Sequence, residues 1–446
     1  MDYYGKGGLS SAIDKLLNYE KVSEDFNVTV EQLTGANGNV NIRVAQLWWY
    51  FRILATSHPL EQKMTLFWHD HFATSAQKVD SPPIMLGHIE ALRSHSMGTF
   101  HDLLMAVSQD PGMLYWLDNN ENVKGKPNEN FAREIMELFT LGIGHYSEKD
   151  VQEAARAFTG WTIGVRRGQR TVPSGARLPR NAAFLNVPAR HDEGEKQVLG
   201  NKGQFHGEDI VGILCGNPQT AKYIVGKIWK WFVYPNPEPA LIDGLASRWR
   251  SNGMVIKDLL RWIMESPEFY SDKAYRAVVK NPIDFVVPIM RQLGVGGRAL
   301  ARVADAEPGA RAAAPVAPLV RSTRAMGMEL LFPPDVDGWV SGQDWISTAT
   351  MVERVKFAND VFPDRAGGAA LGLNLMNLFA NDPTPRGVVE KLLSVFDIEL
   401  APAKVEILVK AAESKAGGPR INQRTASPTA NAVAKLIFGS PEFQFG

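Results

Sequence analysis

Residues 127–161, PNENFAREIMELFTLGIGHYSEKDVQEAARAFTGW, decide the fold class of this chain. Their first half carries apolar residues at the spacing of one helix face, namely Phe131, Ile135, Leu138 and Phe139. Gly142 or Gly144 ends this helix, because glycine readily adopts a positive φ. Ser147 and Asp150 then have the spacing of a capping box that opens a second helix. Since the connecting loop is short, the stretch predicts an antiparallel helical hairpin.

The rest of the chain has the same helical character. Apolar residues recur at helical spacing along most of it, with no convincing alternating strand pattern and no glycine-rich strand-to-helix turn. We therefore predict an all-α protein, a large orthogonal array of many helices with long irregular loops and little or no β-sheet. The predicted parts are a main helical domain at 1–295 that contains the hairpin, a connector at 296–320 rich in Ala, Gly, Pro and Arg, and a C-terminal helical part at 321–446 that packs on the first.

Composition and missing motifs exclude several classes of protein. The 446 residues include 48 Lys and Arg and 48 Asp and Glu, so the net charge is zero and a dedicated nucleic-acid-binding protein is not expected. The single cysteine, Cys215, excludes an intrachain disulfide. No apolar run approaches the roughly 18 residues of a transmembrane helix, and the beginning of the chain lacks the pattern of a signal peptide. The sequence also lacks a serine-nucleophile elbow, a nucleotide-binding loop, a dinucleotide fingerprint and an HExxH metal motif.

A polar stripe runs beside the apolar face of the hairpin. Asn130, Glu134 and Glu137 are spaced at i, i+4 and i+7 on its first helix. Counted outward from the loop, Glu137 lies level with Glu153 of the second helix, and Arg133 is one turn before Glu137. One interpretation is a set of ion pairs that fixes the hairpin. In the other, Glu134 and Glu137 are catalytic carboxylates, and Glu137 and Glu153 help to hold a divalent metal ion. Asn130 and Arg133 are then ligand-binding residues.

Two histidines in FWHDHF, residues 67–72, are further candidate metal ligands. In an extended segment His69 and His71 face the same way and can chelate one ion, whereas on a helix they lie about 200° apart. The recurrence of Leu60, Met64 and Phe67 at helical spacing predicts a helix that reaches His71, with His71 toward the core and His69 away from it. Chelation therefore requires the helix to end before His69.

Two loops supply the remaining candidates. His191 and Asp192 follow an arginine-rich segment in RHDEGEKQVLG, residues 190–200, and are either catalytic groups that line a cleft or part of a solvated turn. LFPPDVDGW at 331–339 and GQDWI at 342–346 predict a rigid aromatic loop. Its Trp339 and Trp345 either pack over the edge of a core or offer their faces to a ligand such as a sugar.

The chain resembles a family of bacterial proteins known as domain of unknown function 1800. The resemblance rests on NENFAREIMELFTLGIGHYSEKDVQEAARAFTGW at 128–161, HDEGEKQVLG at 191–200, LFPPDVDGW at 331–339, FWHDHF at 67–72 and the terminal SPEFQ, and it extends over nearly the whole chain. It implies a helical protein that is often exported to the periplasm or secreted, commonly with a twin-arginine type signal. It also implies a sulfatase-like protein partner, because genes of the family often neighbour those of a sulfatase-like family. The family name supplies no catalytic residues.

Two functions remain open from the sequence. One is an exported, metal-assisted enzyme that acts on a glycan or another polymer, with a carboxylate as general base or metal ligand and a histidine as ligand or proton shuttle. The other is a non-catalytic binding or assembly partner of the sulfatase-like protein. The enzyme requires at least three candidate side chains to converge in one cleft, whereas the binding protein predicts paired ions and an exposed apolar patch.

Overall fold

A computed structural model describes residues 7–34, 40–165, 170–173, 175–304, 316–365 and 373–446 of the chain. This described part contains 21 α-helices and five short strands, so the prediction of a predominantly α-helical protein is confirmed. The helices are α1 (Gly8–Leu17), α2 (Ile42–Ala55), α3 (Pro59–His71), α4 (Ala76–Val79), α5 (Pro82–His95), α6 (Phe100–Ser108), α7 (Pro111–Trp116), α8 (Asn130–Met136), α9 (Glu148–Ala157), α10 (Gly207–Gly216), α11 (Pro218–Phe232), α12 (Pro239–Ser251), α13 (Ile256–Glu265), α14 (Pro282–Gln292), α15 (Val295–Ala304), α16 (Ala317–Ala325), α17 (Thr348–Val361), α18 (Leu375–Leu378), α19 (Pro385–Val395), α20 (Pro402–Ala416) and α21 (Ala426–Gly439). None of these helices is long and apolar enough to cross a lipid bilayer.

The strands form two small antiparallel sheets. The first has the order β2-β1-β3, with β1 at Trp161–Val165, β2 at Arg170–Thr171 and β3 at Ala182–Asn186. In its longer pairing, Trp161 lies opposite Asn186 and Val165 opposite Ala182. The second sheet is a hairpin of β4 (Lys196–Val198) and β5 (Asn201–Gly203), joined by two residues with positive φ, as a tight two-residue turn requires.

The chain packs as two compact units, each made of three separate stretches. Unit 1 comprises Met1–Ser23, His58–Ala274 and Leu331–Trp339, and unit 2 comprises Glu24–Ser57, Tyr275–Leu330 and Val340–Gly446. The units therefore do not coincide with the predicted segments 1–295 and 321–446. Of the predicted connector 296–320, residues 305–315 lie outside the described residues, and the flanking residues belong to α15 and α16.

Unit 1 is built around α3 and the predicted hairpin. Pro59 occupies the first turn of α3, where its missing N–H is not needed. Met64, Phe67 and Trp68 of α3 are buried, and Trp68 Nε1 donates a hydrogen bond to Ser96 O (3.1 Å). The hairpin consists of α8 and α9, and the predicted capping box opens α9 at its N-terminus. His71 at the end of α3 donates from Nε2 to Phe139 O (3.1 Å), which fixes one end of the hairpin against α3.

Unit 2 has its own core of helices. The large side chains Trp49, Tyr50 and Phe51 of α2 are buried, and Asn41 caps this helix by accepting the Val44 N–H (3.1 Å). In the C-terminal part of the unit α17, α20 and α21 pack together. Unit 2 thus buries enough apolar surface to form a separate core.

Candidate functional site

The first helix of the hairpin ends in a π turn. α8 runs to Met136, and Glu137–Leu141 then form a wider turn with i to i+5 geometry. Side chains of unit 1 bind its carbonyl oxygens: His71 Nε2 donates to Phe139 O (3.1 Å), Tyr223 Oη to Leu138 O (3.1 Å) and Gln219 Nε2 to Leu141 O (2.9 Å). These three contacts fix the shape of the turn, and turns of this kind occur frequently at functional sites.

Three carboxylates interact beside this turn, and we call Glu134, Glu137 and Asp337 the acidic cluster. The pKa of Glu134 is raised first by burial and then by the negative charges of Glu137 and Asp337. Glu137 accepts a hydrogen bond from the Tyr146 hydroxyl. Within the described residues, neither Glu134 nor Asp337 has a basic side chain within 4 Å. The acidic cluster is therefore a group of like charges without a contacting counter-ion.

Asp70 and Lys227 are two further ionisable groups next to the acidic cluster. Burial raises the pKa of Asp70 to about 6, against the opposing effects of a hydrogen bond from Trp339 and the charge of Lys227. Burial lowers the pKa of Lys227, against the opposing charges of Asp70 and Asp337. The Lys227 ammonium also lies 5.4 Å from the centroid of the Tyr223 ring. Asp337 thus interacts with both Glu134 and Lys227, which links the lysine to the cluster.

Asp337 reaches this position because the loop Leu331–Trp339 is fixed to the end of α3. The Trp339 N–H donates to Asp70 Oδ1 (2.8 Å), and Leu331 O accepts the Ala76 N–H (2.8 Å). Gly338 has a φ of +88°, and a Cβ there would lie 2.5 Å from both the backbone oxygen and Oδ1 of Asp70. Only glycine permits this approach. Because Asp337 precedes Gly338, the close contact of Gly338 with Asp70 also fixes the position of the Asp337 carboxylate.

The two predicted histidines of α3 are both buried. α3 continues through His71, as the apolar spacing predicts. The prediction that His69 points away from the core is wrong, because the loop Leu331–Trp339 covers it. His69 Nε2 accepts the Leu331 N–H (3.3 Å), and its ring lies 5.4 Å from that of Trp339. Burial holds the pKa of both histidines well below the ordinary range, so both are neutral.

Glu153 and Asp192 are held by one arginine of α9. Arg156 Nη1 donates to Glu153 Oε2 (2.8 Å), and Arg156 Nε donates to Asp192 Oδ2 (2.9 Å). This contact lowers the pKa of Asp192 to about 2. Both carboxylates therefore serve as partners in ion pairs that fix the hairpin and the loop after β3. In the described residues, no group of three or more potential ligands at metal-binding spacing contains Glu153, Glu137 or the two histidines of α3.

The predicted ligand-binding residues have structural contacts. Arg133 forms an ion pair with Glu148 across the hairpin (2.7 Å), and Asn130 Nδ2 donates to a backbone carbonyl (3.3 Å). Trp339 and Trp345 are both buried. At these two positions the packing interpretation fits, because neither ring is exposed as a platform for a ligand.

The side chains of His191 and Asp192 are adjacent in sequence but contact different partners. His191 Nδ1 donates to Thr159 O (2.8 Å), and its ring stacks on that of His206 with centroids 4.2 Å apart. Burial lowers the pKa of His191. His191, Glu193 and His206 each offer one ligand atom, and the three atoms lie within 4.8 Å of one another. Neither Glu193 nor His206 is predicted from the sequence.

Comparison with known proteins identifies the family of this chain. Residues 3–445 match the sequence profile of a family described as "Protein of unknown function (DUF1800)". The chain belongs to the DUF1800 family. The match covers nearly the whole chain and confirms the resemblance seen in the quoted motifs. Neither a curated protein nor a solved structure matches the chain.

The acidic cluster of this DUF1800 protein combines predicted and unpredicted residues. Glu134 and Glu137 come from the polar stripe of the hairpin. Asp337, Asp70 and Lys227 are not predicted, although LFPPDVDGW and FWHDHF contain the two aspartates. Two aspartates in a proline-rich loop are the signal that could have indicated Asp337, since rigid loops commonly carry functional groups.

This arrangement in the DUF1800 protein is suited to proton transfer. A carboxyl group with a raised pKa stays protonated closer to neutral pH than an ordinary glutamic acid. The neighbouring carboxylate Glu137, which accepts a hydrogen bond from the Tyr146 hydroxyl, is placed to accept a proton when it is ionised. A protonated carboxyl group and a neighbouring carboxylate can together serve as a general acid and a general base.

Proposed function

We propose that unit 1 of this DUF1800 protein is a hydrolase whose acid and base groups belong to the acidic cluster. The observation that carries the proposal is that the glutamates of one hairpin have different surroundings. Glu134 has a raised pKa and no contacting basic partner among the described residues, whereas Glu153 and Glu148 are bound by arginines. Carboxylates that serve only to fix a hairpin are expected to have such partners.

The roles follow from the surroundings of each carboxyl group. Glu134, whose pKa is raised, is the general acid that protonates the leaving-group oxygen. Glu137, held by Tyr146, is the carboxylate that takes a proton from the attacking water. Asp337 is exposed and keeps the pKa of Glu134 high through its negative charge. A glycan or another polymer is the proposed substrate, because an exposed carboxylate can be reached by a large molecule.

The test is hydrolysis of a panel of soluble polysaccharides, chromogenic glycosides and peptides by the purified full chain. The Glu134→Gln variant is expected to lose about 100-fold or more of the rate on any substrate that the wild type cleaves. The matched control is Glu148→Gln on the other helix of the hairpin, which removes an exposed carboxylate and should keep the rate within about twofold. Equal rates for Glu134→Gln and the wild type would reject the assignment of the general acid.

The alternative function is binding to a sulfatase-like protein without catalysis. One observation favours it: Ile143, in the loop after the π turn, is 77% exposed. If a folded wild type cleaves no member of the panel while Ile143→Ser weakens association with a sulfatase-like protein in a pull-down assay, the alternative would replace the hydrolase.

A further inference from the structure

His191 is held in the tautomer that a metal ligand needs. Its Nδ1 lies 2.8 Å from the carbonyl oxygen of Thr159, and a carbonyl can only accept a hydrogen bond. Nδ1 therefore carries the proton, and Nε2 carries the lone pair. His191 is only 4% exposed, and within the described part of the chain its Nε2 has no hydrogen-bond partner. Histidines that bind metals commonly donate their other ring N–H to a backbone carbonyl in this way.

The backbone around His191 allows little movement of the ring. Gly160 has a φ of +90°, and a Cβ there would lie 2.9 Å from Val187 O and 3.3 Å from the Cβ of His191. The N–H of Asp192 donates to the Thr159 hydroxyl (2.8 Å). The segment after β3 is therefore fixed against the turn before β1, and His191 Nε2 has a defined position.

Two exposed side chains complete a set of three potential ligands. His206 precedes α10, and its backbone N–H donates to Asp209 Oδ2 (2.8 Å), which fixes the start of that helix. His206 Nε2 lies 4.0 Å from Glu193 Oε2. The ligand atoms of His191, Glu193 and His206 all lie within 4.8 Å of one another. His191 and Glu193 lie in one loop, and His206 lies in another loop 13 positions after Glu193.

We propose that His191, Glu193 and His206 form a binding site for a divalent transition metal ion, and that this ion is Zn²⁺. Two imidazoles and one carboxylate are a donor set that zinc binds, with a fourth position left for water. Ligand atoms about 2.1 Å from a tetrahedral ion are separated by about 3.4 Å. The ligand atoms here lie within 4.8 Å of one another, so they must approach by about 1.4 Å or less. Binding also requires the His206 ring to turn out of its stack with His191, because parallel rings 4.2 Å apart do not direct their lone pairs at one point. Glu193 and His206 can make these movements because their side chains are 62% and 46% exposed.

Hard cations are a poor match for the same three residues. Mg²⁺ and Ca²⁺ prefer oxygen ligands, and this site offers one carboxylate and two imidazole nitrogens. A Glu193–His206 ion pair alone (4.0 Å) would leave the buried Nε2 of His191 without a partner among the described residues. The site differs from the predicted set of His69, His71, Glu137 and Glu153, and it does not depend on the proposed hydrolase.

The experiment is titration of the EDTA-treated, dialysed full chain with ZnCl₂ in a calorimeter. The wild type is expected to bind one Zn²⁺ per chain and not to bind MgCl₂. His206→Ala and Glu193→Gln should each weaken binding at least tenfold. These two side chains are exposed, so the variants are expected to fold, and circular dichroism checks this.

The chain offers a closely matched control for each variant. His101 is an exposed histidine with a side-chain exposure of 47%, and Glu195 is 60% exposed, two residues after Glu193. His101→Ala and Glu195→Gln should bind Zn²⁺ as the wild type does. Replacing Zn²⁺ with Co²⁺ should give visible absorption bands of a tetrahedral site in the wild type and none in His206→Ala.

Three results would overturn the proposal. They are no stoichiometric Zn²⁺ binding by the wild type at 100 μM, equal affinities in the wild type and both ligand variants, or an equal loss of affinity in the two control variants. Because metal binding is measured directly, failure here leaves the hydrolase proposal unaffected, and loss of hydrolysis in Glu134→Gln leaves this proposal unaffected.

Discussion

Replacing Asp70 with asparagine should stabilise the protein in a pH-dependent manner. The pKa of Asp70 is raised from 3.8 to about 6, so its ionised form is less favourable in the folded protein than in the unfolded chain. The stability that the protonated form provides is fully present below about pH 3.8 and is lost as the pH rises through about 6. A difference of about 2 pKa units corresponds to about 3 kcal/mol of unfolding free energy.

The Asp70→Asn variant removes the charge but retains an oxygen that accepts the Trp339 N–H. Its unfolding free energy should therefore exceed that of the wild type by about 1–3 kcal/mol at pH 8, because the variant carries no charge at this buried position. The pKa of about 6 already includes the attraction of Lys227. The difference should approach zero near pH 4. The measurement is urea unfolding followed by tryptophan fluorescence at several pH values. Asp243→Asn, at an exposed position paired with Lys222, is the control and should show no such trend. A constant difference for Asp70→Asn across the pH range would refute the reasoning.

Three further variants test the packing around the site. Gly338→Ala should lower the unfolding free energy by about 2–4 kcal/mol in urea, because a Cβ at positive φ would collide with Asp70; unchanged stability would contradict the close approach. Ser147→Ala should cost about 1 kcal/mol in the same assay, since it removes the capping box of α9, and a loss above about 2 kcal/mol would indicate another role. Asp110→Ala should lower the unfolding free energy by about 2–4 kcal/mol in thermal unfolding, because the carboxylate both caps α7 and accepts a hydrogen bond from buried His88 (3.0 Å). A near-neutral effect would show that water replaces the carboxylate.

The hairpin was predictable because its signals are local. The apolar spacing places α8 and α9, and the capping box at Ser147 opens α9 as expected. The expected level pairing of Glu137 with Glu153 assumed a regular helix up to Gly142. The π turn inserts an extra residue into that register, and Glu137 contacts Tyr146 instead. The side chains that bind the carbonyls of this turn come from other helices, so no local pattern predicts it.

The small sheet and the acidic cluster depend on contacts distant in sequence. β1 is almost fully buried on both faces, so WTIGV lacks the alternation that marks a half-buried strand. Glu134 interacts with Asp337, which lies about 200 positions later in the chain. His69 is covered by the same distant loop, and its helical position alone therefore gave the wrong orientation. The residue types of the site were visible in the motifs, whereas their convergence is a property of the tertiary fold.

Stability and activity should respond in opposite ways at two glutamates of the same hairpin. The pKa of Glu134 is raised, so its ionised form is less favourable in the folded protein than in the unfolded chain. Glu134→Gln should therefore raise the unfolding free energy while it lowers the hydrolytic rate by about 100-fold or more. Glu153 is bound by Arg156 (2.8 Å) and also accepts the Gln197 N–H (3.2 Å), so Glu153→Gln should lower the unfolding free energy by about 1 kcal/mol and leave the hydrolytic rate almost unchanged. Urea unfolding and the substrate panel measure both effects on the same samples. A loss of stability in Glu134→Gln would place this carboxylate among the structural ion pairs, because only a group that the fold disfavours in its charged form can be removed with a gain.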